Sequence, residues 1–206
     1  MRIDIEDFDN AVEKAVDALK KGNMIVYPTD TLYGLGANAT SEEAVAKVKE
    51  AKGRDDGKPI SIMCSGLPMI KEYCDVSIEN KIAMIGMLPG PFTVILPVKK
   101  GLPGNLCEKT VGVRVPRYFF LLNVIKKCGF PITGTSANLS GGKSPCCIDD
   151  IPGSILDSVD VVIDGGKCPY SAPSTVVDMC GKKPGVLRQG AGIMPSEKSD
   201  FDDGIF

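Results

Sequence analysis

Short apolar runs recur along the chain, each cut off by proline, glycine or a polar cluster. They are Met24–Tyr27, Leu35–Ala39, Ile60–Cys64, Phe92–Val98, Val111–Val115, Pro131–Thr135, Val159–Asp164, Ser174–Asp178 and Gly185–Leu187. Runs of that length and content fit strands of a buried sheet. Helical patterns fall between them. Phe8, Val12, Ala15, Val16 and Leu19 share one face of a helix over 7–21 that ends at Gly22. Ser41 followed by Glu42 and Glu43 reads as a capped helix start, with acids in the first turn, running to about Lys52. Further helices are expected over Leu67–Tyr73, Ile78–Met87 and 118–128. Strands and helices alternate irregularly, which predicts an α/β fold: a single domain over 1–194 with a mixed, twisted sheet flanked by helices. Residues 195–206 carry little apolar content and read as a flexible tail.

Two absences narrow the chemistry. The chain has no His and no Trp. Ser-His-Asp triads, Cys-His dyads and His-ligated zinc are excluded. Proton transfer near neutral pH falls to Asp, Glu, Lys, Cys, water or the substrate itself. The formal net charge is −2, which argues against nucleic-acid binding through bulk charge and leaves room for a local basic cleft. The N-terminus is polar and acidic, unlike a signal peptide. No stretch approaches the ~18 apolar residues of a membrane span, so a cytoplasmic protein is expected. The eight cysteines form no C-x-x-C pair, and Cys146 and Cys147 are adjacent. Structural thiols are the favoured reading over a metal site or redox pairs, and no metal ligands are assigned.

Five segments at strand ends carry polar chemistry, where α/β sheets place ligands. Pro28–Gly36 gathers hydroxyls, a carboxylate and a phenol around a tight turn, or is a plain hairpin connection. Lys52, Arg54 and Lys58 cluster just past a helix. They form either a phosphate clamp or a solvated helix end with favourable charge–dipole contacts. Arg114 interrupts an apolar strand. A buried guanidinium needs a partner, so either a protein carboxylate or a substrate carboxylate must meet it. Thr133–Ser144 supplies hydroxyls, amides and glycines that can wrap N–H groups around an anion, or simply turn the chain. Ser174–Asp178 and Arg188 beside Gly190 complete the set. Together they describe a cleft for an anionic, nucleotide-like ligand, and a poor site for glycoside or zinc-dependent hydrolysis.

The ordered set Pro28–Gly36, Lys52-x-Arg54, Pro89–Thr93, Val113–Pro116, Thr135–Asn138 and Ser174–Asp178 resembles the YrdC/Sua5 family over roughly residues 8–191. The short chain is similar to YrdC-type members, which lack the C-terminal Sua5 domain. The resemblance implies L-threonylcarbamoyladenylate synthesis: L-threonine, bicarbonate and ATP, with Mg²⁺ bound to the ATP, yield threonylcarbamoyl-AMP and pyrophosphate. A separate transferase then modifies adenosine 37 of tRNA. The family has also been described as binding double-stranded RNA. A non-catalytic RNA-binding protein in translation or ribosome maturation is therefore the rival reading.

The resemblance also implies residue roles. Thr31, Arg114, Gly134 and Ser174 bind L-threonine, with Arg114 on its carboxylate. Arg54, Lys58, Thr110, Ser136, Asn138, Ser144 and Arg188 bind ATP, and Lys52 and Arg54 serve catalysis. One position departs from the pattern. Many Sua5-like members carry a histidine on the strand after the Lys-Pro step, where this chain has Met63.

Overall fold

Ser41 is an N-cap: its hydroxyl accepts from the Ala44 N–H at 3.2 Å, satisfying one of the donors a helix start leaves open. The helix it starts is one of several that flank a ten-stranded sheet in a computed structural model describing residues 1–53, 59–181 and 183–194. In chain order the elements are β1 (Arg2–Asp4), α1 (Phe8–Lys20), β2 (Ile25–Tyr27), β3 (Gly34–Gly36), α2 (Glu42–Ala51) and β4 (Ser61–Met63). Then come α3 (Leu67–Tyr73), α4 (Ile78–Ile85), β5 (Phe92–Pro97), β6 (Thr110–Arg114), α5 (Phe119–Cys128) and β7 (Ile132–Ser136). A 3-10 turn at Ile148–Asp150, α6 (Gly153–Asp157), β8 (Val161–Asp164), β9 (Thr175–Asp178) and β10 (Gly185–Arg188) follow.

The sheet order is β1-β8-β2-β3-β7-β4-β6-β5-β9-β10, with parallel and antiparallel pairs mixed. Its two faces bury separate cores, as the alternation of strand side chains requires. Ile25 and Tyr27 join Val12, Leu19, Phe120 and Ile125 beneath α1 and α5, whereas Val26 and Ile62 join Val45, Val48, Ile70 and Val113 on the other face. At the rim of the first core the ring of Phe8 stacks on Phe119 with centroids 5.6 Å apart.

Register brings the polar segments together. Gly34 of β3 faces Ser136 of β7, Ser61 of β4 faces Gly134 of β7, and Met63 of β4 faces Arg114 of β6. Gly34 is required here by close approach. A Cβ on it would sit 2.5 Å from the ring of Tyr27, which is fully buried and donates its hydroxyl to the Thr133 carbonyl at 2.8 Å.

The structure differs from expectation at a few elements. β1 lies in a segment read as polar, because its only buried side chain is Ile3, too little to give a periodic signal. The expected strand Leu35–Ala39 is Gly34–Gly36, with only an isolated bridge from Asn38 to Ile132 beyond it. The 3-10 turn and α6 are too short to leave an amphipathic pattern. Residues 195–206, expected as a tail, lie outside the described residues. Among the described residues no helix is long and apolar enough to cross a membrane. All eight cysteines are unpaired thiols.

Candidate functional site

The strand ends around β3, β7, β4 and β6, together with β5, β9 and β10, enclose a cavity of about 370 Å³, within the range of small-molecule sites. Of the residues expected to form a site, Thr31, Thr110, Arg114, Gly134, Ser136, Ser144, Ser174 and Arg188 all line it. Arg54 and Lys58 lie outside the described residues, and Pro59, which follows them, is on the cavity wall.

Arg114 ends β6 with its side chain on this wall, only 5% exposed. Of its two conceivable partners the fold supplies the protein carboxylate. Nη2 donates to Asp30 Oδ1 in a short ion pair, and Nη1 donates to Thr31 Oγ1 at 2.5 Å. Burial lowers the guanidinium pKa and the Asp30 charge opposes that. Two buried atoms of this pair, Arg114 Nε and Asp30 Oδ2, stay without a partner among the described residues. Arg114 thus lines the cavity already held by Asp30 and Thr31.

The hydroxyls beside it form a directed chain. Thr29 gives its proton to the Leu32 carbonyl at 2.7 Å, and its Oγ1 lies 3.0 Å from Thr31 Oγ1. Thr29 Oγ1 also accepts from the N–H groups of Thr31 and Leu32 at 3.0 and 3.1 Å, which fixes the turn after β2. On the opposite wall Ser174 Oγ and Thr93 Oγ1 are 2.8 Å apart, and Arg188 Nη2 donates to the Ser174 carbonyl at 2.9 Å. Gly190 is needed by close approach, since a Cβ there would lie 2.3 Å from the Pro173 carbonyl oxygen.

The turn after β7 is wound around a buried cation. Lys52, 2% exposed, caps the C-terminus of α2 and sends its ammonium to the carbonyls of Ser136 and Asn138, the latter at 2.6 Å. Asn138 accepts from Ser136 Oγ at 2.5 Å through Oδ1 and donates to the Gly142 carbonyl at 2.7 Å through Nδ2. Neither Lys52 nor Asn138 is on the cavity lining. Lys52 was expected in catalysis and Asn138 on ATP; in the structure their polar groups hold the turn that presents Ser136 to the cavity.

Sequence reasoning missed several wall residues. Tyr33 lines the cavity while its hydroxyl donates to the Gly166 carbonyl at 2.8 Å and accepts from the Gly165 N–H at 3.0 Å. Thr93 was legible only as part of a motif, and nothing local marks Ser61, Ile95 or Val176 as wall residues. Met63 lies on the wall with its side chain against Gly134, whose missing Cβ would come within 3.2 Å of it. Asp30 is not a wall residue and acts through Arg114. Among the described residues no cluster of three or more His, Cys, Asp or Glu could hold a metal ion.

Known proteins are similar to this chain in sequence and fold. A Methanocaldococcus jannaschii protein, provisionally named threonylcarbamoyl-AMP synthase, is 38% identical over 90% of this chain and 89% of its own length. The threonylcarbamoyl-AMP synthase of Pyrococcus abyssi is 33% identical over 85% of this chain, which spans only 53% of that longer protein. The solved structure of P. abyssi Sua5 complexed with L-threonine superposes with a TM-score of 0.86 and 31% identity, covering 92% of this chain and 57% of the other. The Sua5/YciO/YrdC family model, described as telomere recombination, matches residues 17–190. With most of its length matched in this way, the chain belongs to the Sua5/YciO/YrdC family.

Proposed function

We propose that this cavity binds L-threonine beside ATP, and that the chain joins them with bicarbonate into L-threonylcarbamoyl-AMP. One observation carries the reading: Thr31, Arg114, Gly134 and Ser174, expected to hold an amino acid, line the same cavity as Thr110, Ser136, Ser144 and Arg188, expected to hold a nucleotide. Thr31, Arg114, Gly134 and Ser174 serve the amino-acid end. Thr110, Ser136, Ser144 and Arg188 serve the nucleotide, with Arg54 and Lys58 on its phosphates and Mg²⁺ arriving with the ATP. Lys52 and Asn138 support Ser136 from behind.

The chemistry fits a chain without histidine. The threonine amine adds to the carbon of CO₂ derived from bicarbonate and loses a proton, giving a carbamate. A carbamate oxygen attacks the α-phosphorus, the bond from the α-phosphorus to the bridging oxygen breaks, and pyrophosphate leaves with Mg²⁺. The nucleophile is already an anion, so that step needs no protein base. It needs two anions held in line, which is the work of fixed cations and hydroxyl donors. The product is an activated carbamoyl donor for a separate transferase that modifies tRNA in the cytoplasm.

Exchange of labelled pyrophosphate into ATP tests this. Exchange should require both L-threonine and bicarbonate, and Arg54→Ala should abolish it without loss of fold. Exchange at background with both present refutes the reading. Micromolar RNA binding that weakens steeply with salt and ignores ATP, with no nucleotide turnover, supports the RNA-binding alternative instead.

A further inference from the structure

The buried pair Asp30–Arg114 has a consequence for which ligands the amino-acid end accepts. Asp30 is 3% exposed and Arg114 5%, and they form a direct ion pair. The net charge of the pair is therefore zero, although Arg114 lines the cavity and its buried Nε is unpartnered among the described residues. Among the described residues the lining adds no second buried positive charge. Cys168 is held neutral, its thiol pushed up to about 11 chiefly by burial. Arg188, the other charged side chain described on the lining, is exposed, and solvent screens it.

We infer that Asp30, through Arg114, makes the amino-acid end selective for a zwitterion over a simple carboxylate anion. This rests on the amino-acid reading of the cavity given above. A lone buried guanidinium would draw any carboxylate. With Asp30 beside it, a bare anion leaves the site with an uncompensated negative charge in a poorly solvated place. An amino acid brings its own ammonium, so the charges alternate and sum to zero. The polarity of the hydroxyl chain agrees. Thr31 Oγ1 accepts from Arg114 and keeps a lone pair, which suits an ammonium. Asp30 is a positioning residue in this account, since it does not reach the cavity lining.

The test is direct binding by calorimetry, at constant ionic strength, of L-threonine and of its deaminated counterpart (2S,3R)-2,3-dihydroxybutyrate, which keeps the carboxylate and loses the ammonium. Wild-type protein should bind L-threonine at least tenfold more tightly. Asp30→Asn leaves Arg114 uncompensated, and the preference should narrow at least tenfold in favour of the anion. A purely structural role for Asp30 would weaken both ligands together and leave their ratio unchanged, and that result overturns the inference. If Asp30→Asn does not fold, the wild-type comparison decides: equal affinity for both ligands overturns the inference, and a tenfold preference for L-threonine supports it. Failure of the wild type to bind either ligand refutes the amino-acid reading itself, a result distinct from binding without discrimination.

Discussion

The ammonium of Lys52 donates to the main-chain carbonyl of Asn138 at 2.6 Å, across 86 residues of sequence. It also holds the Ser136 carbonyl, and Asn138 in turn accepts from the Ser136 hydroxyl. The end of α2 and the turn after β7 are thereby one unit, and that unit forms part of the cavity wall.

Lys52→Met keeps the aliphatic stem and removes the donor. It leaves carbonyls in the turn without their charged partner, at a cost of about 3 kcal/mol. Urea denaturation should show that loss. The surviving folded protein should have a raised KM for ATP and a nearly unchanged KM for L-threonine. Stability equal to wild type would mean the turn does not depend on this cation.

Arg188→Ala should behave in the opposite way. The side chain is exposed and makes one bond to the Ser174 carbonyl, so stability should change by less than about 1 kcal/mol. Pyrophosphate exchange should nonetheless fall at least tenfold. Unchanged exchange would remove Arg188 from the nucleotide end.

Gly34→Ala should destabilise the protein by about 1–3 kcal/mol or more through overpacking. The added methyl meets the Tyr27 ring, which is fully buried and tied by its hydroxyl to the Thr133 carbonyl. Thermal denaturation checks this, and a wild-type Tm would contradict the packing described.

Buried thiols predict an alkaline limit to stability. Burial pushes the Cys128 and Cys168 thiols up to about 11 from their ordinary 9.0. Between those values the unfolded chain releases protons that the folded chain retains, so stability falls as pH rises. The contribution is fully present below pH 9 and is lost as pH climbs through 11. Tm measured from pH 8 to 11 should drop, and the drop should be shallower in Cys128→Ala.

Much of this site is legible in the sequence because its parts are local. Thr31, Ser136, Ser174 and Arg188 each sit in a short polar segment after an apolar run, and strand order alone carries them to one end of the sheet. Arg114 announces itself as a charge inside an apolar strand. Its partner does not. Asp30 is 84 residues away, and one carboxylate in a polar turn looks like any other until β2 and β6 are placed in the sheet. The burial of Lys52 is hidden for the same reason: a lysine at a helix end reads as a phosphate ligand or a solvated charge, and only the tertiary fold shows it buried under the turn after β7.

The central claim is that one cavity brings a carbamate of L-threonine into line with the α-phosphate of ATP. Incubation with ATP, Mg²⁺, L-threonine and ¹³C-bicarbonate, followed by mass spectrometry of the nucleotide products, tests it most directly. The account predicts a threonylcarbamoyl adenylate carrying the ¹³C label. An unlabelled threonyl adenylate, or no adenylate at all, would contradict it.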